Sequence, residues 1–210
     1  MRVPILFLII IVNCGCNNPK AISKAEKFEI ILTENKKLEI IYGDYVFKNT
    51  EANRLNNEGI DALKEEDYDN AETKFIAAIR LEPDNPAILN NLGNIYREKG
   101  THRMAMEYYK ESFIFSDSTY FPSAFNMGVI RNLMGEYDKS FEIFEYILSR
   151  TKSENERTTV MYEMAHVMIK QNKCSEAINL YDSIKTDLYK FSEYKEDIAK
   201  FEKKIKNCTE

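Results

Sequence analysis

Small residues recur along this chain in two interleaved series, and few folds accommodate such a pattern. Gly59, Gly93, Gly128 and Ala165 form the first series; Ala71, Ala105, Ser140 and Ala177 form the second. Successive members are 34, 35 and 37 residues apart in both, and the two small residues of each unit are always 12 apart. A constant internal spacing with variable gaps between units describes a rigid two-helix piece joined by adjustable loops. Two antiparallel helices approach closely only where a side chain is nearly absent, so each small pair marks a crossing. Within four residues of each second small residue comes an aromatic: Phe75, Tyr109, Phe144 and Tyr181. Turn residues separate the helices of each unit, at Asp67-Tyr68, Gly100-Thr101, Gly135-Glu136-Tyr137 and Asn172-Lys173-Cys174. Apolar residues between these turns keep a period near 3.6.

Composition agrees with an ordinary helical protein. Hydrophobic residues make up 44% and charged residues 30%, which leaves enough apolar surface for a core. The net charge of -5 is dispersed, so no clustered basic face exists to hold nucleic acid. There is no phosphate-cradling glycine loop, nucleophile elbow or zinc-protease helix motif. The two histidines, His102 in an inter-helix turn and His166, lack the cysteine or carboxylate spacing of a metal site. These observations argue against an enzyme, and no cofactor, metal or small-molecule substrate is expected. Met161, Met164 and Met168 lie on the packing face of the fourth unit; they suit core filling, with a soft binding surface as the alternative.

Leu89, Leu92, Gly93, Tyr96, Ala105 and Tyr109 in the second unit resemble the tetratricopeptide repeat, in which Leu-Gly, Tyr, Ala and an aromatic follow at fixed offsets. The first unit supplies Gly59, Tyr68, Ala71, Phe75, Ala78 and Pro83. The third supplies Met127, Gly128, Gly135, Tyr137 and Phe144, with Arg131 and Ser140 departing from the pattern. The fourth, with Met161, Met164, Ala165, Met168, Ala177 and Tyr181, is the most degenerate. The resemblance implies an all-α, right-handed superhelical stack of about four helical hairpins over residues 52–189, divided as 52–85, 86–120, 121–157 and 158–189. A capping helix at 190–208 follows, with Tyr194, Ile198, Phe201 and Ile205 as one apolar stripe amid Lys and Glu. The resemblance also implies that first helices line a concave groove for a protein or extended peptide. Asn57, Asn91 and Asn126 hold one equivalent place there in three successive units, and an amide can both donate to and accept from a peptide backbone. The alternative is that they satisfy local backbone. Neighbouring groove candidates are Asn94, Arg97, Phe125, Tyr162 and His166; Glu163 breaks the asparagine series. The family's basic clamp for a terminal carboxylate is not expected, since Asn56 and Ile60 stand at its positions.

The N-terminus reads as an address. A basic start, the apolar run Val3 to Val12 and Gly15-Cys16 resemble a bacterial lipoprotein signal over residues 1–16. Cys16 is the favoured lipid site and Cys14 the alternative, each departing from the pattern at one place. The run is shorter than the roughly 20 apolar residues that span a bilayer. With Asn17 and Asn18 following, the resemblance implies a lipid anchor in an outer membrane facing the periplasm, and scaffolding of an envelope complex. Similar lipoproteins serve outer-membrane protein assembly and pilus assembly. A soluble periplasmic or inner-membrane-tethered adaptor for a cell-wall or signalling partner is the alternative. Residues 17–51 form a linker or cap, read as helix over a hairpin.

Cys174 and Cys208 are 34 residues apart. Placed at the end of the fourth unit's first helix and of a parallel capping helix, they share one end of the stack. A disulfide is possible there, although helices roughly 10 Å apart exceed its usual span unless the last turn frays.

Overall fold

The computed structural model describes residues 46–190 and 195–208. The signal-type segment with Cys14 and Cys16, the segment 17–45 and Tyr194 lie outside the described residues. Every element among the described residues is an α-helix. The helices are α1 (Thr50–Lys64), α2 (Tyr68–Leu81), α3 (Pro86–Glu98), α4 (His102–Phe115) and α5 (Phe121–Leu133). After them come α6 (Tyr137–Leu148), α7 (Glu154–Lys170), α8 (Cys174–Leu188) and α9 (Lys195–Cys208).

Local chemistry sets the starts. Asn49 accepts from the amides of Glu51 and Ala52, Asn85 from those of Ala87 and Ile88, and Ser153 from that of Glu156. Each thereby satisfies donors that a helix N-terminus leaves open. Pro86 adds a fixed φ at the first turn of α3. The turns inside the hairpins share one device. Glu66, Gly100, Gly135 and Asn172 stand at the same place in the four units, and all have positive φ, from 59° to 78°. These turns are shorter than the sequence suggests: Tyr68, His102, Tyr137 and Cys174 each open the second helix of their unit instead of lying in the turn. His102 is accordingly half-buried.

Each hairpin is closed by a ring laid on a glycine. A Cβ added at Gly59 would lie 2.6 Å from the Phe75 ring, and one at Gly93 would lie 2.5 Å from that of Tyr109; Gly128 faces Phe144 in the same way. The rings of Phe75, Tyr109 and Phe144 are fully buried, each worth roughly 2–3 kcal/mol of apolar burial. In the third unit, Ser140 replaces the usual alanine, and its Oγ donates to the carbonyl of Gly128 at 2.8 Å. The fourth unit carries Ala165 in place of glycine; its ring, Tyr181, turns toward the cap and donates to Glu202 at 2.8 Å.

Successive hairpins then stack. The first helices α1, α3, α5 and α7 touch one another in turn, and α7 touches α9. That side of the array is the tighter, inner one. The core is continuous in chemistry but falls into three clusters, around Phe75, Phe113 and Phe201. Cap residues Ile198 and Phe201 are fully buried against Tyr162, Tyr181 and Leu188.

The bridge geometry corrects the sequence reading. Cys174 opens α8 instead of closing α7, so its partner helix is antiparallel to it. The start of α8 meets the end of α9, and Cys174 and Cys208 are joined with their Cα atoms 5.7 Å apart, with no fraying needed.

Two substitutions test the hairpin logic. Gly93→Ala gains about 1 kcal/mol of helix propensity but forces the Tyr109 ring out of a closed site, which costs more. A net loss of about 1–2 kcal/mol in urea unfolding is expected. Glu66→Gly is expected to gain about 0.5–1 kcal/mol, because a non-glycine residue is strained at φ 60°.

Candidate functional site

The inner face of the array is built from α1, α3, α5, α7 and the cap helix α9. Asparagines run along it, and they reach for one another. Asn91 Nδ2 donates to Asn56 Oδ1 at 2.9 Å, across from α3 to α1. Asn126 Nδ2 repeats the step from α5 to α3, donating to Asn90 Oδ1 at 3.0 Å and to Asn94 Oδ1 at 3.2 Å. Its carbonyl accepts from the Arg97 guanidinium at 3.1 Å. Tyr109 donates to Asn94 from behind at 2.9 Å. Farther along, Lys170 on α7 donates to Asn132 on α5 at 3.0 Å. Buried amides joined in this way stabilise the contact between repeats, since an unpaired one would be costly.

The three asparagines that share a sequence register therefore differ in surroundings. Asn57 is exposed, with a 3.4 Å contact to Asn53. Asn91 is half-buried, with its amide nitrogen engaged by Asn56. Asn126 is buried and bonded on both polar atoms, so it belongs to the stack. Among the other sequence candidates, Arg97 also pairs with Glu98 at 2.9 Å. Phe125 is half-buried and stacks on Phe121, with ring centroids 5.5 Å apart. Tyr162 and His166 do not open onto the groove. Tyr162 is buried and lies edge-on to Phe201 of the cap at 5.2 Å, and His166 lies 4.2 Å from the same ring. They form the seam under α9.

Residues that the register argument missed are Asn56, Asn90, Asn132 and Lys170. The signal for the first two was present: Asn56-Asn57 and Asn90-Asn91 are adjacent pairs, and the first of each pair accepts from the next repeat. In the third and fourth units the corresponding pairs are Phe125-Asn126 and Tyr162-Glu163. Glu163 thus occupies the asparagine register of α7, mostly buried. Burial raises its carboxyl above the ordinary carboxylate range, while Lys170 and Arg97 pull the other way. Burial also pushes His166 down to about 4, helped by Lys204 and Lys170, so its ring is neutral near pH 7.

No cluster of three metal-ligating side chains occurs among the described residues, and no described helix is long and apolar enough to cross a membrane. Two hollows of about 390 Å³ and 340 Å³ lie elsewhere, at the α2–α3 junction beside Asn49 and on α4 beside Met104.

Residues 56–117 match the family model of the tetratricopeptide repeat. The fold is a tetratricopeptide-repeat stack. A tetratricopeptide repeat protein from Parabacteroides merdae has a similar structure, with 22% identity over 69% of this chain and a TM-score of 0.55. This chain covers only 56% of that protein. The Sgt2 TPR domain from Aspergillus fumigatus is similar over 61% of this chain and 83% of its own length, at 21% identity and TM-score 0.51. The MamA protein is similar over 75% and 91%, at 18% identity and TM-score 0.53. No curated protein matches this chain in sequence. These likenesses establish the fold, and tetratricopeptide-repeat stacks are in general scaffolds for protein–protein contacts.

The neutral histidine in the seam gives a pH prediction. Its folded-state pKa is depressed from 6.5 to about 4, so as pH falls through that window the unfolded chain takes up a proton that the folded one refuses. Stability from this group is complete above about pH 6.5 and is lost toward pH 4, by up to roughly 3 kcal/mol. Glu163, shifted upward, opposes this, because its burial penalty is relieved as it protonates. His166→Gln is expected to remove the first contribution, so the urea midpoint of the variant falls less between pH 7 and pH 4 than that of the parent.

Proposed function

We propose that this chain is a lipid-anchored scaffold of the cell envelope, whose inner face holds an extended segment of a partner protein. The observation that carries the binding half is a line of side-chain amide atoms left open along the first helices. Among the described residues, Asn57 makes only its one long contact, the Oδ1 of Asn91 accepts nothing, and the Nδ2 of Asn94 donates to nothing. Acceptors and donors spaced along an open groove suit a main chain, which offers both in alternation. The tether rests on the sequence Gly15-Cys16 after a short apolar run. The Cys174–Cys208 bridge favours an oxidising compartment, where such bonds persist.

Both halves have direct tests. Metabolic labelling with a palmitate analogue is expected to mark the chain, and Cys16→Ala to abolish the mark with Cys14→Ala retaining it. An unlabelled parent chain removes the anchor and leaves a soluble adaptor. For the groove, a photo-crosslinking residue at Asn57 or Phe125 is expected to trap a partner that one at Met104, on the 340 Å³ hollow of α4, does not. Equal trapping from Met104 would place the binding surface elsewhere.

A further inference from the structure

The asparagine ladder stops at a defined level of the inner face, and the reason lies in two residues. Asn91 and Asn126 each find an acceptor on the preceding first helix, at Asn56 and Asn90. The next rung is Glu163 on α7, and the residue standing where Asn56 and Asn90 stand is Phe125. A phenyl ring offers a carboxylate neither a donor nor a charge. Among the described residues, no hydrogen bond or ion pair reaches the Glu163 carboxylate. It is nonetheless mostly buried, and that burial disfavours its charged form.

The charged groups that face Glu163 from every neighbouring element are Arg97 on α3, Lys170 on α7 itself, and Asp197 and Lys204 on α9. Two of the three cations are engaged: Arg97 by Asn126 and Glu98, and Lys170 by Asn132. Lys204 is exposed. A desolvated carboxylate without a partner is unfavourable, and an incoming cation that pairs with it recovers what burial took away. An incoming anion would instead add a like charge. The chain as a whole carries -5, which likewise attracts a cationic ligand.

We propose that Glu163, at the level where Phe125 replaces asparagine, is the docking point for a lysine or arginine side chain of the peptide segment that the groove takes. The open amides of Asn57, Asn91 and Asn94 hold main chain without regard to sequence, and Glu163 supplies the one charge-reading position. This assignment rests on the groove reading above.

The test is selection of phage-displayed random dodecapeptides on the full chain, in parallel with Glu163→Gln and Lys204→Ala. Peptides selected by the parent are expected to share one basic position. A synthetic peptide of that sequence is expected to bind Glu163→Gln about tenfold more weakly, as for the loss of a charge-assisted bond. Lys204→Ala is expected to bind it two- to threefold more tightly. The thermal midpoint of Glu163→Gln is expected to equal or exceed that of the parent, because a desolvated charge has gone. Selected peptides with no common basic residue, a preference for acidic residues, or unchanged affinity on Glu163→Gln would each overturn the assignment while leaving the groove intact. Weaker binding by Lys204→Ala would overturn it as well, since the site would then be reading an anion. Selection of nothing, or peptides that bind equally after Asn57→Arg with Asn91→Ala, would remove the groove reading and this assignment with it.

Discussion

Everything in this structure depends on how closely two helices of a hairpin can approach. A ring can lie flat on a helix backbone only where no Cβ intervenes, and Gly59, Gly93 and Gly128 provide that absence for Phe75, Tyr109 and Phe144. The contact fixes the register of the second helix against the first, because the ring has one bare patch on which to rest. With the register fixed, the face that each hairpin shows its neighbour is fixed too, and stacking follows. The fourth hairpin shows what changes when the patch is filled. Ala165 carries a Cβ, and Tyr181 takes Phe201 of the cap as a neighbour at 5.3 Å. The departure from the repeat pattern is thus the place where the stack turns into its terminus, as terminal repeats must cover their neighbour and still face water.

Much of this was legible in the sequence because close packing leaves a compositional trace. Small residues 12 apart, an aromatic after the second, and Gly100 and Gly135 at the turns are each demanded by geometry at one position. The bridge was harder to read. The sequence places Cys174 with the end of its unit's first helix, whereas it opens the second, and that reverses its relation to α9. The positive φ of Glu66 is signalled by its register with Gly100 and Gly135 and not by its residue type, since nothing in a glutamate signals a left-handed backbone.

The inner face was legible in part. Its asparagines could be counted, but amides bond equally well to a neighbour or to a ligand, and sequence does not separate the two. The pairing Asn56-Asn57 and Asn90-Asn91 was the clue that they serve both: the first member anchors the next repeat, and the second lies nearer the groove. Tyr162 and His166 share a helix with groove positions yet pack under Phe201, because the cap helix covers that end of the face.

The bridge at the far end of the array gives the molecule a direction. In a linear stack each unit is held only by its neighbours, so melting starts at whichever end is weaker. Closing a loop of 34 residues constrains the unfolded C-terminal end by about 4 kcal/mol, and among the described residues no second disulfide holds α1. Among the described residues, unravelling therefore runs from α1 toward α8, like a zip sewn shut at one end. On the proposed tether, a load applied from the membrane would enter at that looser end, so the first hairpin would give way while the seam around Phe201 stayed shut.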